Sequence, residues 1–382
     1  MIAPGIAERR QDGEWHVEPA PDTSCLLIDS AWSFSALRPE WSSLLRASAS
    51  ASPFLTWEWL HTWWTHLGES SRLRMVAVRA GTELIAVAPF RVSTGTAYLP
   101  CLDMLATGDV GSDYLDVIVR GGREAEALPA IEQFVRSQRT TLRLTHLGPS
   151  AVANLLADRL HASGWARTTT ACGTCPYIPL AGHTWDSYLA TLGSSHRANV
   201  RRRIRALEQK FDVRFERVTG DTQRREALAK LFEYHDRRFD EDGTAFGTDG
   251  LRAFHDELTK RALDRGWLRM FVLRLDGAPA AVMYGFLYDG TFYFYQHGFD
   301  EQFQQHSIGL VLMGLSIRAA IDEGAGEFDM LWGVEPYKFL WARQTRELRT
   351  MLLFPPRIGG QIHRGLFHAR RQAKALIGRY VS

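Results

Sequence analysis

The sequence predicts an α/β (α+β) protein made of two tandem copies of one mixed-sheet unit. Three observations lead there. The hairpin signature Leu73-Arg74-Met75-Val76-Ala77-Val78 returns as Leu268-Arg269-Met270-Phe271-Val272-Leu273. In each half a helical stretch containing Trp or Phe precedes the hairpin, and a strand–helix–strand set follows it. The 382 residues, 45% hydrophobic and 23% charged, are enough to bury two separate cores.

Met1–Ser24 has Glu8, Arg9, Arg10, Asp12 and Glu14 but no apolar core, so a flexible leader is expected there rather than a signal peptide. The first unit is then expected over 25–172, the second over 183–355 and a basic tail over 356–382. The join falls near Gly173–Gly182, where Pro176 and Pro179 interrupt the pattern. No stretch approaches the ~20 apolar residues of a membrane helix, and a cytoplasmic protein is expected. A net charge of +2 excludes whole-molecule attraction to nucleic acid, so any polyanion site must be local.

In order along the first half, Pro53–Leu67 reads as a helix carrying Trp57, Trp59, Trp63 and Trp64. Trp59 and Trp63 share a face that suits core packing or sugar stacking. Leu73–Val78 and Leu84–Phe90 flank a turn at Ala80-Gly81-Thr82. Asp113–Val119 alternates like a strand, Glu124–Arg136 is an amphipathic helix, Thr141–Leu147 a strand and Val152–Ala162 a helix. Cys172 and Cys175 have metal-ligand spacing but no accompanying second pair, so two incidental thiols and no metal are expected.

The second half opens on His196–Arg205, where Ser194 or Ser195 can cap a helix. Val200, Ile204, Leu207 and Phe211 form its seam and leave Arg201, Arg202 and Arg205 outside. No acidic residue follows until Glu208. The run is therefore an anion site or a solvated face paired with carboxylates elsewhere. Thr222–Phe239 is a further helix. In the strand Thr291–His297, alternation puts Tyr293, Tyr295 and His297 on one face, either a site for an acceptor and a base or a half-exposed sheet face. A loop from Gln304 to Ser307 enters a helix at Ile308-Gly309, whose Ile308, Val311, Leu312, Leu315 and Ala319 lie on one side. Such a helix start is either a packing unit or a place where backbone N–H groups meet a phosphate. Glu327–Met330 then leads into Gly333-Val334-Glu335-Pro336-Tyr337-Lys338, at a strand end where α/β sheets host ligands.

The Ser307–Gly309 loop-helix unit, the Phe328-Asp329 strand and the Tyr337-Lys338 turn resemble the second half of the GNAT-type acyltransferases of bacterial exopolysaccharide and cellulose biosynthesis. Those enzymes are relatives of the Fem-type aminoacyltransferases. The resemblance spans roughly Trp41 to Phe354, with Ile308 standing where family members often carry Pro. It implies two GNAT-like domains, the second holding the donor and the first shaping an acceptor groove. It also implies direct, metal-free acyl transfer from acyl-CoA, acetyl-CoA foremost, to an amine or hydroxyl of a small molecule, saccharide or cell-envelope precursor. Ser307, Ile308, Gly309 and Leu310, with Arg201, Arg202 and Arg205, are the expected donor contacts. Glu335 or His297 is the expected base, Tyr337 the acid and Lys338 a clamp on negative charge.

Two other functions stay open. An aminoacyl-tRNA donor would bring nucleic acid onto the arginine helix. A non-catalytic module would bind polysaccharide through its tryptophans. Serine- and cysteine-nucleophile arrangements, Walker motifs and dinucleotide fingerprints are absent from the sequence, which disfavours covalent and nucleotide-hydrolysing enzymes. Arg357–Ser382 is basic without an acidic residue, and Leu366, Phe367, Ala373, Leu376 and Ile377 give it an apolar stripe. It suits peripheral membrane contact, a polyanion, or docking on the protein's own acidic surface.

Overall fold

The computed structural model describes residues 7–9, 15–17, 23–69, 71–94, 99–108, 110–238 and 245–380, with side chains between 23 and 372 in those ranges. Of the expected leader, β1 (Ala7–Arg9) and β2 (Trp15–Val17) pair antiparallel, and Thr23 and Ser24 open the next strand. The rest of the leader lies outside the described residues.

The first half runs β3 (Thr23–Ile28), α1 (Ala31–Ala36), α2 (Arg38–Arg46), α3 (Trp57–Leu67), β4 (Arg72–Leu73), β5 (Met75–Ala80), β6 (Glu83–Ala88), β7 (Phe90–Thr94), β8 (Pro100–Met104) and β9 (Ile118–Val119). It continues with α4 (Glu124–Gln138), β10 (Thr141–Leu147), α5 (Ala153–Ala162) and β11 (Ala166–Pro179). The second half runs α6 (Trp185–Thr191), α7 (Ser194–Lys210), β12 (Val213–Arg217), α8 (Asp221–Arg238), α9 (Asp249–Asp264), β13 (Leu268–Leu275), β14 (Ala278–Tyr288) and β15 (Thr291–Phe299). After it come α10 (Ile308–Asp322), β16 (Glu327–Asp329), α11 (Lys338–Trp341), β17 (Gln344–Phe354) and α12 (Ile358–Tyr380).

The strands form an 11-stranded sheet, β12-β13-β14-β15-β16-β11-β17-β10-β8-β7-β4, and a 4-stranded sheet, β3-β5-β6-β9. Arg74 and Pro89 break the first hairpin, so β4 and β7 join the large sheet while β5 and β6 join the small one. With those breaks ignored, the two halves have the same order. An outer strand, a hairpin and a fourth strand pair antiparallel (β3, β5/β4, β6/β7, β8; β12, β13, β14, β15), and a fifth strand pairs parallel to the fourth. The halves exchange their last strands. β11 lies against β16, β17 lies against β10, and β11 and β17 pair with each other from Ala166↔Phe354 to Tyr177↔Gln344. We propose 25–172 and 183–355 as the two repeated domains, although β11 crosses the first boundary.

Three local expectations are corrected. Gly173–Pro179 is strand rather than a loose join, because β16 and β17 take up its backbone groups. Asp113–Val119 is strand only at Ile118–Val119. Tyr114 adopts φ 53°, and the carboxylates of Asp113 and Asp116 accept backbone N–H groups that a ladder would otherwise use. The arginine helix is capped by Gly193, with Ser194 its first helical residue.

The largest core cluster spans both halves. Thr56 starts α3 by accepting the Trp59 N–H, and Trp57, Trp59 and Trp63 of that helix are buried, which removes the sugar-stacking face. A second cluster lies beneath α7 and α10. The tail begins as a docked helix: buried His363 meets the Thr141 hydroxyl at 2.7 Å, and Phe367 packs near Phe354. Ala373, Leu376 and Ile377 lie outside the described side chains. Among the described residues no helix is long and apolar enough to cross a membrane.

Candidate active site

β15 and β16 run parallel and pair only at Thr291↔Glu327, Phe292↔Phe328 and Tyr293↔Asp329. Beyond that point they diverge and bound a cavity of about 460 Å³. A bulge in β15 decides which side chains enter it. Gln296 and Phe294 face the consecutive Tyr284 and Gly285 of β14, so Tyr295 is the extra residue. Tyr295 turns into the inter-half core, and its hydroxyl donates to the Val110 carbonyl. His297 therefore leaves the face of Tyr293 and Tyr295 and packs 5.0 Å from Phe294 and 6.2 Å from Tyr337. The expected shared face of Tyr293, Tyr295 and His297 is corrected by that one inserted residue.

The opposite wall is the turn after β16. Its backbone is strained at Leu331 (φ 57°) and Gly333 (φ 137°). A Cβ on Gly333 would stand 2.2 Å from Glu335 Oε2 and 2.7 Å from Lys338 Nζ, so glycine is required both for the backbone and for the ion pair. The Lys338 side chain is buried. Its Nζ donates to the carbonyls of Trp332 at 2.8 Å and Leu331 at 3.3 Å, and pairs with Glu335 at 3.2 Å. Lys338, Tyr337 and Glu335 of the turn and His297 of β15, which the sequence marks apart from them, thus line one cavity together with His235 and Arg238.

The polar frame behind this turn comes partly from the first half and was not marked by the sequence. Asp113 Oδ2 accepts the Trp332 N–H at 2.8 Å, and Asp329 Oδ1 accepts the Leu331 N–H at 2.8 Å. The Tyr114 hydroxyl donates to Asp329 Oδ2 at 2.6 Å. Gly173 lets the Trp332 indole lie on β11, because a Cβ there would fall 2.0 Å from the ring. The available signal was the pair of acidic residues, Asp113 and Asp116, inside an otherwise strand-like run. A second cleft, of about 390 Å³, lies between the halves and is lined by Ser52, Tyr114, Tyr293, Glu327, Asp329 and Arg346.

Burial pushes Asp329 up to about 7, against the Tyr114 hydrogen bond, the Leu331 N–H and the Arg346 charge, all of which favour the anion. Burial raises the Tyr337 hydroxyl far above its usual range, and the Glu335 charge adds to it, so Tyr337 holds its proton. Burial, reinforced by the charges of His235, Arg238 and Lys338, takes His297 down from 6.5 to about 3. A histidine depressed in the fold contributes stability that is complete above pH 6.5 and is lost as pH falls from there through about 3. An NMR titration of the folded protein should accordingly show flat His297 ring signals from neutral pH down into the mildly acidic range. A midpoint near 6.5 would contradict this burial.

The expected donor contacts are not gathered into the same cavity. Arg201, Arg202 and Arg205 line an exposed groove along α7, where Arg201 pairs with Asp186 at 2.9 Å and Arg202 donates to Asn199 at 2.8 Å. Ser307, with φ 56°, caps α10, and its carbonyl accepts the N–H groups of Leu310 at 3.0 Å and Val311 at 3.2 Å. Ile308 is buried, and Gly309 sits over the Phe299 ring. Lys210, at the end of α7, lies 3.3 Å from His306 and links the arginine helix to this helix start.

Residues 194–339 match the acetyltransferase (GNAT) domain family, a segment that contains α7, the diverging strands and Lys338. The chain carries a GNAT-type acetyltransferase domain. Solved structures extend the likeness to the whole fold. FemX superposes with a TM-score of 0.60 at 11% identity, covering 82% of this chain and 95% of that one. A conserved protein of unknown function from Bacteroides thetaiotaomicron gives 0.58 at 13%, covering 86% and 98%. L-PGS from Bacillus licheniformis gives 0.54 at 12%, covering 89% and 96%. No curated protein sequence matches the chain. Around this GNAT domain the exchange of β11 and β17 places first-half residues directly behind the Lys338 turn.

Proposed function

We propose that this acyltransferase moves an acyl group from acyl-CoA directly to an amine or hydroxyl of a small-molecule, saccharide or cell-envelope acceptor. The observation that carries this reading is the convergence of Lys338, Tyr337, Glu335 and His297 on a cavity between two diverging parallel strands. That gap suits an extended thioester arm, since β15 beyond Tyr293 is no longer paired with β16. Acyl-CoA supplies the activated carbonyl. The chain's own residues supply the rest. Lys338 Nζ, fixed by two carbonyl oxygens, sets a positive charge beside developing negative charge. Tyr337, kept protonated, is suited to return a proton to the leaving sulfur. Of the two candidate bases Glu335 is favoured, because an imidazole whose conjugate acid forms only near pH 3 takes up a proton poorly at neutral pH. The inter-half cleft with Ser52, Tyr293 and Asp329 supports an acceptor groove shaped by both halves.

The arginine groove of about 560 Å³ on α7 supports a role in holding the donor's phosphates, and equally supports the second reading, an aminoacyl-tRNA donor. Replacing Arg201, Arg202 and Arg205 by Gln should weaken donor binding and flatten its salt dependence by about one slope unit for each arginine–phosphate pairing removed. Donor affinity that stays the same at every salt concentration would make α7 a solvated face. Release of free thiol from acetyl-CoA in the presence of amine and hydroxyl acceptors tests the reaction itself. Turnover that requires charged tRNA instead would select the second reading.

A further inference from the structure

We propose that the rim of the Lys338 cavity is a docking surface for an anionic lipid bilayer. Trp332, Val334, Phe339 and Leu340 stand in solvent around the turn that closes the cavity, with exposures of 56%, 66%, 43% and 50%. Their neighbours Lys338 and Trp341 are buried, so the outward set is not a loosened piece of core. The turn is also held in place. The N–H groups of Met330 and Gly333 donate to the Pro176 and Thr174 carbonyls of β11, at 2.9 Å and 3.0 Å, and Trp332 is tied to Asp113. A held backbone therefore presents several apolar side chains to water from the segment whose Trp332, Glu335, Tyr337 and Lys338 line the candidate cavity, as interaction surfaces do.

The charge next to this rim indicates what covers it. The His196 ring of α7 packs edge-on at 4.7 Å from Trp341, so the arginine helix adjoins the apolar rim. Arg197, Arg201, Arg202 and Arg205 share the exposed groove of that helix, and exposed Arg343 follows α11. Of the acidic groups on and around these segments, Asp186 is already paired with Arg201, Glu335 with Lys338 and Glu347 with Arg349, while Asp113 and Asp329 are buried behind the turn. Apolar side chains beside a cationic groove suit a headgroup layer that is negative at its surface and apolar beneath. RNA fits less well, since Val334 and Leu340 offer no ring face on which bases can stack. A second copy of the chain would bring the same cations together.

Co-sedimentation of the purified full-length protein with vesicles tests this without any donor, so its outcome is separate from that of the acyl-transfer reading. Wild-type protein is expected to bind vesicles of phosphatidylcholine with phosphatidylglycerol at least ~10-fold more tightly than phosphatidylcholine alone, and less tightly as salt rises. Val334→Glu with Leu340→Glu should lose at least ~10-fold of that affinity with unchanged thermal unfolding, because both side chains are exposed. Phe339→Ser provides a milder substitution in the same rim, and Arg202→Gln with Arg205→Gln should weaken binding to the anionic vesicles alone. No binding to the mixed vesicles, equal binding to both kinds, or undiminished binding by the rim variants would overturn the proposal. So would self-association abolished by the rim variants in a protein that ignores vesicles, or loss of tRNA binding instead of vesicle binding.

Discussion

Lys338→Ala should yield a folded protein that has lost at least ~10-fold in kcat/KM, about 1.4 kcal/mol of transition-state stabilisation. Lys338 is not a surface lysine. Its buried ammonium is held by the carbonyls of Leu331 and Trp332 and by Glu335, at the edge of the cavity. If it acts on charge that grows during acyl transfer, the loss falls mainly on kcat; if it grips a charge already present in the bound substrate, KM rises instead. The substitution also strips the Leu331 and Trp332 carbonyls of their donor, and the buried Leu331 contact left unsatisfied costs roughly 1–3 kcal/mol of stability. Lys338→Met keeps the aliphatic stem and separates lost packing from lost charge. Wild-type turnover in a folded Lys338→Ala protein would remove Lys338 from the chemistry and leave Glu335 and His297 to carry it.

Trp59→Ala should cost about 3–5 kcal/mol, read as a lowered denaturant midpoint. Trp59 is fully buried, and its indole N–H donates to the Ser112 hydroxyl at 2.9 Å. Its ring meets Phe54 at 4.7 Å in its own half, and Phe254, Tyr295 and Phe286 of the other half at 5.4, 5.4 and 5.9 Å. Truncation leaves a cavity between the halves and an unpaired buried hydroxyl. Because β11 and β17 are exchanged across the sheet, wild type and variant should both unfold in one transition. Two separate transitions, or a loss below about 1 kcal/mol, would show that the halves are not joined through this residue.

The repeated unit was legible because its evidence is local. Alternating apolar residues around Gly-containing turns mark each hairpin, and helical spacing marks α3, α7 and α10. What sequence spacing could not show is non-local. The exchange of β11 and β17 depends on pairing between residues 167 to 188 positions apart, and nothing in Gly173–Pro179 alone specifies a partner. The bulge at Tyr295 reverses the side on which His297 lies, although strict alternation predicts the other. Asp113–Val119 alternates convincingly, yet its carboxylates act as backbone acceptors and reach the Trp332 turn. Within the candidate site, Lys338, Tyr337 and Glu335 were legible because they share one turn. Asp113 and Tyr114 were not, because their partners lie in the other half.

Calorimetric titration of the purified protein with acetyl-CoA, longer acyl-CoAs and charged tRNA tests the central claim most directly. Saturable binding of an acyl-CoA, weakened by the Arg201, Arg202 and Arg205 substitutions, is the predicted result. Binding of charged tRNA with no measurable affinity for any acyl-CoA would contradict it.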